Sequence, residues 1–470
     1  MRKTFLFSLL AFLAVILIAG CSGSSSTTTP PSGQSAQMSL SITDAPPAGV
    51  TVLSFEVSLT GASLSPGDVN LLAGGNPVRI EVKKLETEAA FLSTLSIPAG
   101  NYTSLNLTFA NPELTFLNNT GATLAGCANG AVCEIKPAGT LSATVSGNFM
   151  VTAGEHAGIL VDVNLTTLLS STLGVDFSAS GAVTATQQAG QNENEGELED
   201  LDDVNGIVKS PANNQFTMQT TDLGNITVTT NANTEFEDFE SCAASNFSCL
   251  ADGQSVEVEL LLMGSGAFVA KKVELEDNAA EAEEDELDGI VFKIDSSTQF
   301  EIVVIDELRD VANVSIGNPI IVSLQSAPSF EVDEDGLNVP SNLLQAFTAA
   351  TDTSQLLPGQ TVQIRVRSMS GGPAPAPITV MTDRVRLRMT RFTATVSGAV
   401  SGSNFNVGKL PGIFTSNGVS LIQVQTSSQT DFENVSGASG LAEGNLVSLR
   451  GLLFVSAPNP VLIADKVRKR

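Results

Sequence analysis

ADGQSVEVELLL at residues 251–262, LPGQTVQIRVRS at residues 357–368 and AEGNLVSLRGLL at residues 442–453 are three versions of one pattern. In each, a glycine (Gly253, Gly359 or Gly444) followed by Gln or Asn opens a run whose apolar residues recur at every second position. Glycine reaches turn conformations closed to other residues. A two-residue period belongs to a strand with two unlike faces. Each stretch therefore reads as a turn feeding a strand.

Working outward, the neighbouring blocks repeat as well. Openings occur at VNGIVKSPANNQFTMQT (204–220), LDGIVFKIDSSTQFEIVV (287–304) and ATVSGAVSGSNFNV (394–407). TVTTNANTEFEDF (227–239), IIVSLQSAPSFEV (320–332) and IQVQTSSQTDFENV (422–435) follow, and AKKVELE (270–276), TDRVRLR (382–388) and ADKVRKR (464–470) close the copies. Gly206, Gly289 and Gly398 align as strand glycines that permit a bend or bulge. Phe236, Phe330 and Phe432 end polar loops and should plug the end of a small core, and Val273, Val385 and Val467 belong to the closing strand. Four blocks recurring in fixed order mark internal repeats. Five or so strands per copy predict small closed barrels of OB-like kind, at residues 204–276, 287–389 and 390–470. The middle copy is longer by NVPSNLLQAFTAATDTSQ (338–355), which includes a short helix candidate.

Residues 38–186 precede the repeats. MSLSITDAPPAG opens with a strand and a turn at Asp44 and Pro46-Pro47. In VTVLSFEVSLTGASL (50–64), Leu53, Phe55, Val57 and Leu59 alternate against Val52, Ser54, Glu56 and Ser58. IPAGNYTSLNLTFAN (97–111) reads as a turn at Gly100-Asn101 feeding a strand with Tyr102, Leu105, Leu107 and Phe109, and GILVDVNL (158–165) is another strand. About seven strands with Gly/Pro turns predict a sandwich. The expected fold class is all-β: an N-terminal β-sandwich followed by three small OB-like β-barrel repeats. Acidic linkers are expected at residues 187–203 and 277–286, since like charges repel and stay solvated.

Residues 1–20 have Arg2 and Lys3 before an apolar run from Phe5 to Ala19, the layout of a secretory signal. LIAGC, ending at Cys21, resembles the bacterial lipobox. That resemblance implies cleavage before Cys21, acylation of its thiol and anchoring in a membrane, with Ser22 favouring the outer membrane of a Gram-negative cell. An ordinary signal with a chance cysteine is the alternative. Residues 21–37 are Ser/Thr/Pro-rich and read as a tether. The remaining cysteines form two close pairs, Cys127 with Cys133 and Cys242 with Cys249, expected as local disulfides in an oxidising envelope. A metal site is disfavoured because neither pair is CxxC and no histidine lies nearby.

The net charge of −27 argues against nucleic acid as a partner. Arg384, Arg386 and Arg388 alternate along one strand and, with Arg365 and Arg367 on a neighbouring one, could offer a face to an anionic polymer or headgroup; they could also pair with the protein's own acidic stretches. Glu331-Val332-Asp333-Glu334-Asp335-Gly336 resembles the start of a calcium loop, but Asn342 stands where an EF-hand needs glutamate. Weak calcium binding stays open beside a plain acidic turn. His156, the one histidine, lacks a catalytic partner in sequence, and no cofactor motif is present. The leading expectation is a lipid-anchored, non-enzymatic envelope protein of structural, adhesive or binding role, its partner an envelope polysaccharide or protein, its repeats extending as a stalk or adhesive array. A carbohydrate- or polyanion-binding module is the alternative, weakened by the absence of Trp. A hydrolase is the third reading and would require carboxylates clustered in a deep pocket.

SLSITDAP and IPAGNYTSLNL resemble an uncharacterised domain of bacterial and archaeal envelope lipoproteins, the domain of unknown function DUF4382. The repeats resemble another, DUF5666, through GIV, the Gly-Gln/Asn turn and the KVE-type ending. Neither resemblance implies an activity. The third repeat departs most, with Lys409-Leu410-Pro411-Gly412 inserted and a basic ending.

Overall fold

The glycine turn recurs with one hydrogen-bond pattern in all three repeats of the computed structural model. Gly253, Gly359 and Gly444 have φ of 90°, 102° and 88°, and their amides donate to Val208, Val291 and Val396 carbonyls of the opening strands. The side-chain oxygens of Gln254, Gln360 and Asn445 accept from the amides of Ala251, Leu357 and Ala442, at 2.7, 2.5 and 2.9 Å. Glycine supplies the left-handed residue and the amide side chain fastens the turn.

The structure describes residues 35–470 apart from 46–49, 73–76, 88–89, 155, 190–199, 221–224, 238, 240–241, 243–244, 263–266, 278–284, 308–310, 335 and 372–376. The signal segment, Cys21, most of the tether and the middles of both acidic linkers lie outside the described residues.

The first barrel comprises Asp200–Ala212, Gln215–Gln219, Asn225–Thr229, Ser255–Leu262 and Phe268–Asp277. The second comprises Glu286–Ser296, Gln299–Glu307, Pro319–Val332, Thr361–Arg365 and Ile378–Arg388, and the third Thr390–Ser401, Asn404–Gly408, Ile422–Gln425, Leu446–Phe454 and Val461–Lys469. In each, the first three strands form antiparallel hairpins, the fourth pairs with the first and the fifth with the fourth. Parallel pairing of the third strand with the fifth closes the barrel. This is the OB-type Greek-key order. Phe236, Phe330 and Phe432 lie opposite Val273, Val385 and Val467 in a parallel register.

The register corrects one alignment. Gly206 pairs with Val256 and Gly289 with Val362, but the third-barrel residue opposite the equivalent Val447 is Ala394, not Gly398. The first two positions exclude a Cβ because it would lie 2.7 Å from Met218 Cγ and 2.6 Å from Ile302 Cδ1. Val407, shorter, stands at the corresponding place in the third barrel. Gly398 instead takes a φ of 78° where the hairpin register shifts between Ser397 and Ser401.

In the N-terminal domain a four-stranded and a six-stranded sheet share one apolar core. Ser35–Ala45 runs parallel to His156–Asn164 at the centre of the smaller sheet, and Thr51–Ser65 pairs with Gly100–Leu117 in the larger. There are more strands than the seven expected, the additional ones mostly short. Gly100-Asn101 is already strand, not a turn: Ala99 alone separates Ala90–Pro98 from Gly100–Leu117, and the two strands belong to different sheets. Tyr102 is fully buried and its hydroxyl donates to Pro98 O at 2.7 Å. A bulge between Val52 and Ser54 breaks the expected alternation: Val52 joins the sandwich core, whereas Leu53 turns outward into the apolar cluster of the third barrel. The disulfides Cys127–Cys133 and Cys242–Cys249 are formed, each closing a loop short enough to contribute roughly 2–2.5 kcal/mol by chain entropy.

The units pack on one another rather than standing apart as a stalk. Leu452, Phe454, Val461 and Ile463 of the third barrel belong to the core of the second, while Ile290, Val303 and Ile305 of the second, with Leu53 and Leu117 of the sandwich, belong to that of the third. Gln360 Nε2 donates to Leu453 O at 2.6 Å, and Thr115 Oγ1 to Gly317 O at 2.6 Å. The first barrel keeps an apolar cluster of its own and meets the second through charge.

Candidate functional site

The closing strand of the second barrel sends Val385 and Leu387 inward and Arg384, Arg386 and Arg388 to its outer face, where the first barrel docks. Arg388 is the hub. Its Nη1 lies 2.8 Å from Glu276 Oε2 and its Nη2 2.9 Å from Glu257 Oε2, both on the first barrel. Asp333 also contacts Nη1, and Asp288 lies 3.9 Å from Nε. Arg386 reaches Glu276 at 3.3 Å, Glu331 at 3.5 Å and the Gln363 side chain at 3.2 Å. Arg384 pairs with Glu286, both almost fully buried. Arg365 and Arg367 share another carboxylate, that of Asp383, at 3.0 and 2.8 Å. The sequence-predicted arginines are thus engaged by the protein's own carboxylates. Glu274, Glu276, Glu286 and Asp288, at the edges of the second acidic stretch, are structural rather than solvated because guanidinium and ammonium groups meet them; Lys272 lies 3.0 Å from Glu274. Burial opposes the charge of Arg388, but Glu276, Glu257 and Asp288 outweigh it and hold the guanidinium protonated well above its ordinary range.

Beside this network lies a polar cavity of about 650 Å³ lined by Glu237, Glu276, Glu331, Asp333, Glu334 and Arg386. Carboxylate oxygens of Glu274, Glu276 and Asp333 lie within 4.8 Å of one another. The acidic turn from Glu331 to Gly336 therefore faces the first barrel, whereas Asn342 sits in the inserted helix Ser341–Thr348. Asp335 lies outside the described residues. His156 begins the strand His156–Asn164; its side chain and Glu155 lie outside them too.

A second cavity, of about 410 Å³, lies where the sandwich, the second barrel and the third barrel meet. Val52, Leu53, Ile290, Phe392, Ile413 and Phe414 line its apolar wall, with Lys83, Arg391 and Lys409 among its charged residues. Sequence reasoning missed it because its parts come from distant segments. The one available signal was the inserted Lys409-Leu410-Pro411-Gly412, all four of which line it.

The basic ending of the third barrel returns to the sandwich. Arg470 donates to Glu86 O at 2.5 Å and to Ser448 Oγ at 2.9 Å. Burial raises the carboxyl of Asp162 above its usual range, and Arg470 and Arg468 offset part of this; its Oδ1 is buried without a hydrogen-bond partner. An acid whose folded pKa is raised weakens the fold while ionised, and stability returns as pH falls through that pKa. Asp162→Asn should therefore raise Tm at pH 7 by about 1–3 °C. The advantage should close below about pH 4, where the unfolded aspartate is protonated as well; thermal melts across pH 3–8 measure both.

No curated protein matches the chain. Residues 35–191 match the family model of the domain of unknown function DUF4382, and residues 205–274 match that of the domain of unknown function DUF5666. A region that matches the DUF4382 model is therefore followed by a barrel that matches the DUF5666 model and then by two further barrels of the same topology.

Proposed function

We propose that the protein is a lipid-anchored cell-envelope protein of structural, adhesive or binding role, without enzymatic activity, held at the outer membrane by Cys21 and presenting a rigid β body to an envelope polysaccharide or protein. The observation that carries this reading is the use of the strongest charges at the junction, Arg386 and Arg388 of the second barrel with Glu257 and Glu276 of the first, to fasten one unit to the next. LIAGC supplies the anchor; diacylation provides the two signals that stable attachment needs. Mass spectrometry of the mature N-terminus tests the anchor: acylated Cys21 with residues 1–20 removed is expected, and an unmodified Cys21 or an intact leader refutes it. A glycan and envelope-protein binding screen of the soluble Cys21→Ser chain tests the binding role, which capture of no surface component would overturn.

A hydrolase using paired carboxylates is the second reading, favoured by the 650 Å³ cavity with Glu237, Glu276, Glu331, Asp333 and Glu334 on its wall. Turnover of a glycoside or ester panel that disappears in Glu331→Gln would establish it over the first. Weak calcium ligation would draw on the same oxygens and would compete with Arg388 for Asp333 and Glu276.

A further inference from the structure

We propose that the cavity at the junction of the sandwich with the second and third barrels is a binding site for a small amphiphilic anion, an apolar body carrying one carboxylate, sulfonate or phosphate. Its volume of about 410 Å³ lies in the range of small-ligand sites. The wall is mostly apolar: Val52 and Leu53 from the sandwich, Ile290 from the second barrel, Phe392, Ile413 and Phe414 from the third. Such a wall takes up hydrocarbon or an aromatic ring.

The charged residues around it run against the rest of the molecule. In a chain of net charge −27, this cavity has three cations, Lys83, Arg391 and Lys409, against one carboxylate, Glu86. Glu86 pairs with Lys83. Lys409 is exposed and makes no ion pair among the described residues; its backbone is held at a φ of 50°, a left-handed conformation that costs a non-glycine residue energy. A second observation is independent of charge. Thr51, also in the lining, is 6% exposed and its Oγ1 has no hydrogen-bond partner. A buried hydroxyl without a partner carries a desolvation cost that a ligand oxygen can remove. The site exists only in the assembled chain, because each wall comes from a different unit, and it goes beyond the anchoring and display proposed above.

The test uses the chain from residue 21 onward as the soluble Cys21→Ser form, titrated with 8-anilinonaphthalene-1-sulfonate by fluorescence and with decanoate by calorimetry. Saturable 1:1 binding of both is expected. Lys409→Glu and Leu446→Asp, both at exposed positions of the lining, should each weaken it at least tenfold while leaving Tm unchanged. Lys136→Glu, on a distant surface pair with Glu113, should not affect it. Absence of saturable binding overturns the proposal. So does binding that neither lining variant weakens, and so does decanol binding as tightly as decanoate, which would show an apolar crevice without anion recognition.

Discussion

Arg388→Met should cost about 3–5 kcal/mol, the penalty for removing one partner from a buried ion cluster. The guanidinium side chain is 11% exposed and faces four carboxylates, those of Glu257, Glu276, Asp288 and Asp333. Without it, like charges confront one another in a space that water reaches poorly. Arg388→Lys should rescue little: one ammonium cannot serve Glu257 through one nitrogen and Glu276 through another as the planar fork does. The damage should be local to the junction. The first barrel has its own apolar cluster and can stay folded while it comes loose, so denaturant unfolding should change from one transition to two. A single transition with unchanged midpoint would show that the cluster does not hold the junction.

Phe347→Ala should cost about 3–5 kcal/mol, the range for emptying a buried aromatic position. Phe347 lies on the helix inserted in the middle repeat and is 1% exposed. Its ring meets Phe330 of the second barrel edge-on at 5.6 Å and Phe454 of the third at 6.4 Å. The cavity would therefore open at the joint between two barrels, where neither can collapse to fill it without moving the other. Equilibrium denaturation should show the second and third barrels destabilised together. A loss confined to the second barrel would contradict a shared core.

These two residues mark the limit of what the sequence discloses. The three Gly-Gln/Asn turns, the Phe–Val pairs such as Phe236 with Val273, and the barrels themselves are local or nearest-neighbour features, and their periodicity carries them. Gly398 stands out of register with Gly206 and Gly289 because a glycine in a strand has two causes, a crowded Cβ or a left-handed backbone, and letters alone do not separate them. The bulge beside Val52 moves Leu53 to the outer face, and nothing in an alternating run announces a bulge. Arg388 and its carboxylates were visible as types, and their alternation along one strand was visible too. That a neighbouring barrel would supply Glu257 and Glu276 follows only from how closed barrels dock. The 410 Å³ cavity has the same origin: Val52, Lys83, Ile290 and Lys409 become neighbours only after three units have met.

Arg470, just past the closing strand of the third barrel, lies against Glu86 of the first domain, and this sets a timetable. A chain made from its N-terminus completes the sandwich hundreds of residues before the surfaces that cover it exist. Through that interval Leu53 and Leu117, later buried in a cluster with residues of the second and third barrels, are open to solvent and to other chains. Domains fold as they emerge, and exposed apolar surface at that stage invites misassembly. The third barrel closes only when its strand Val461–Lys469 has paired, so a chain stopped before that strand is expected to carry a first domain whose outer face is left uncovered.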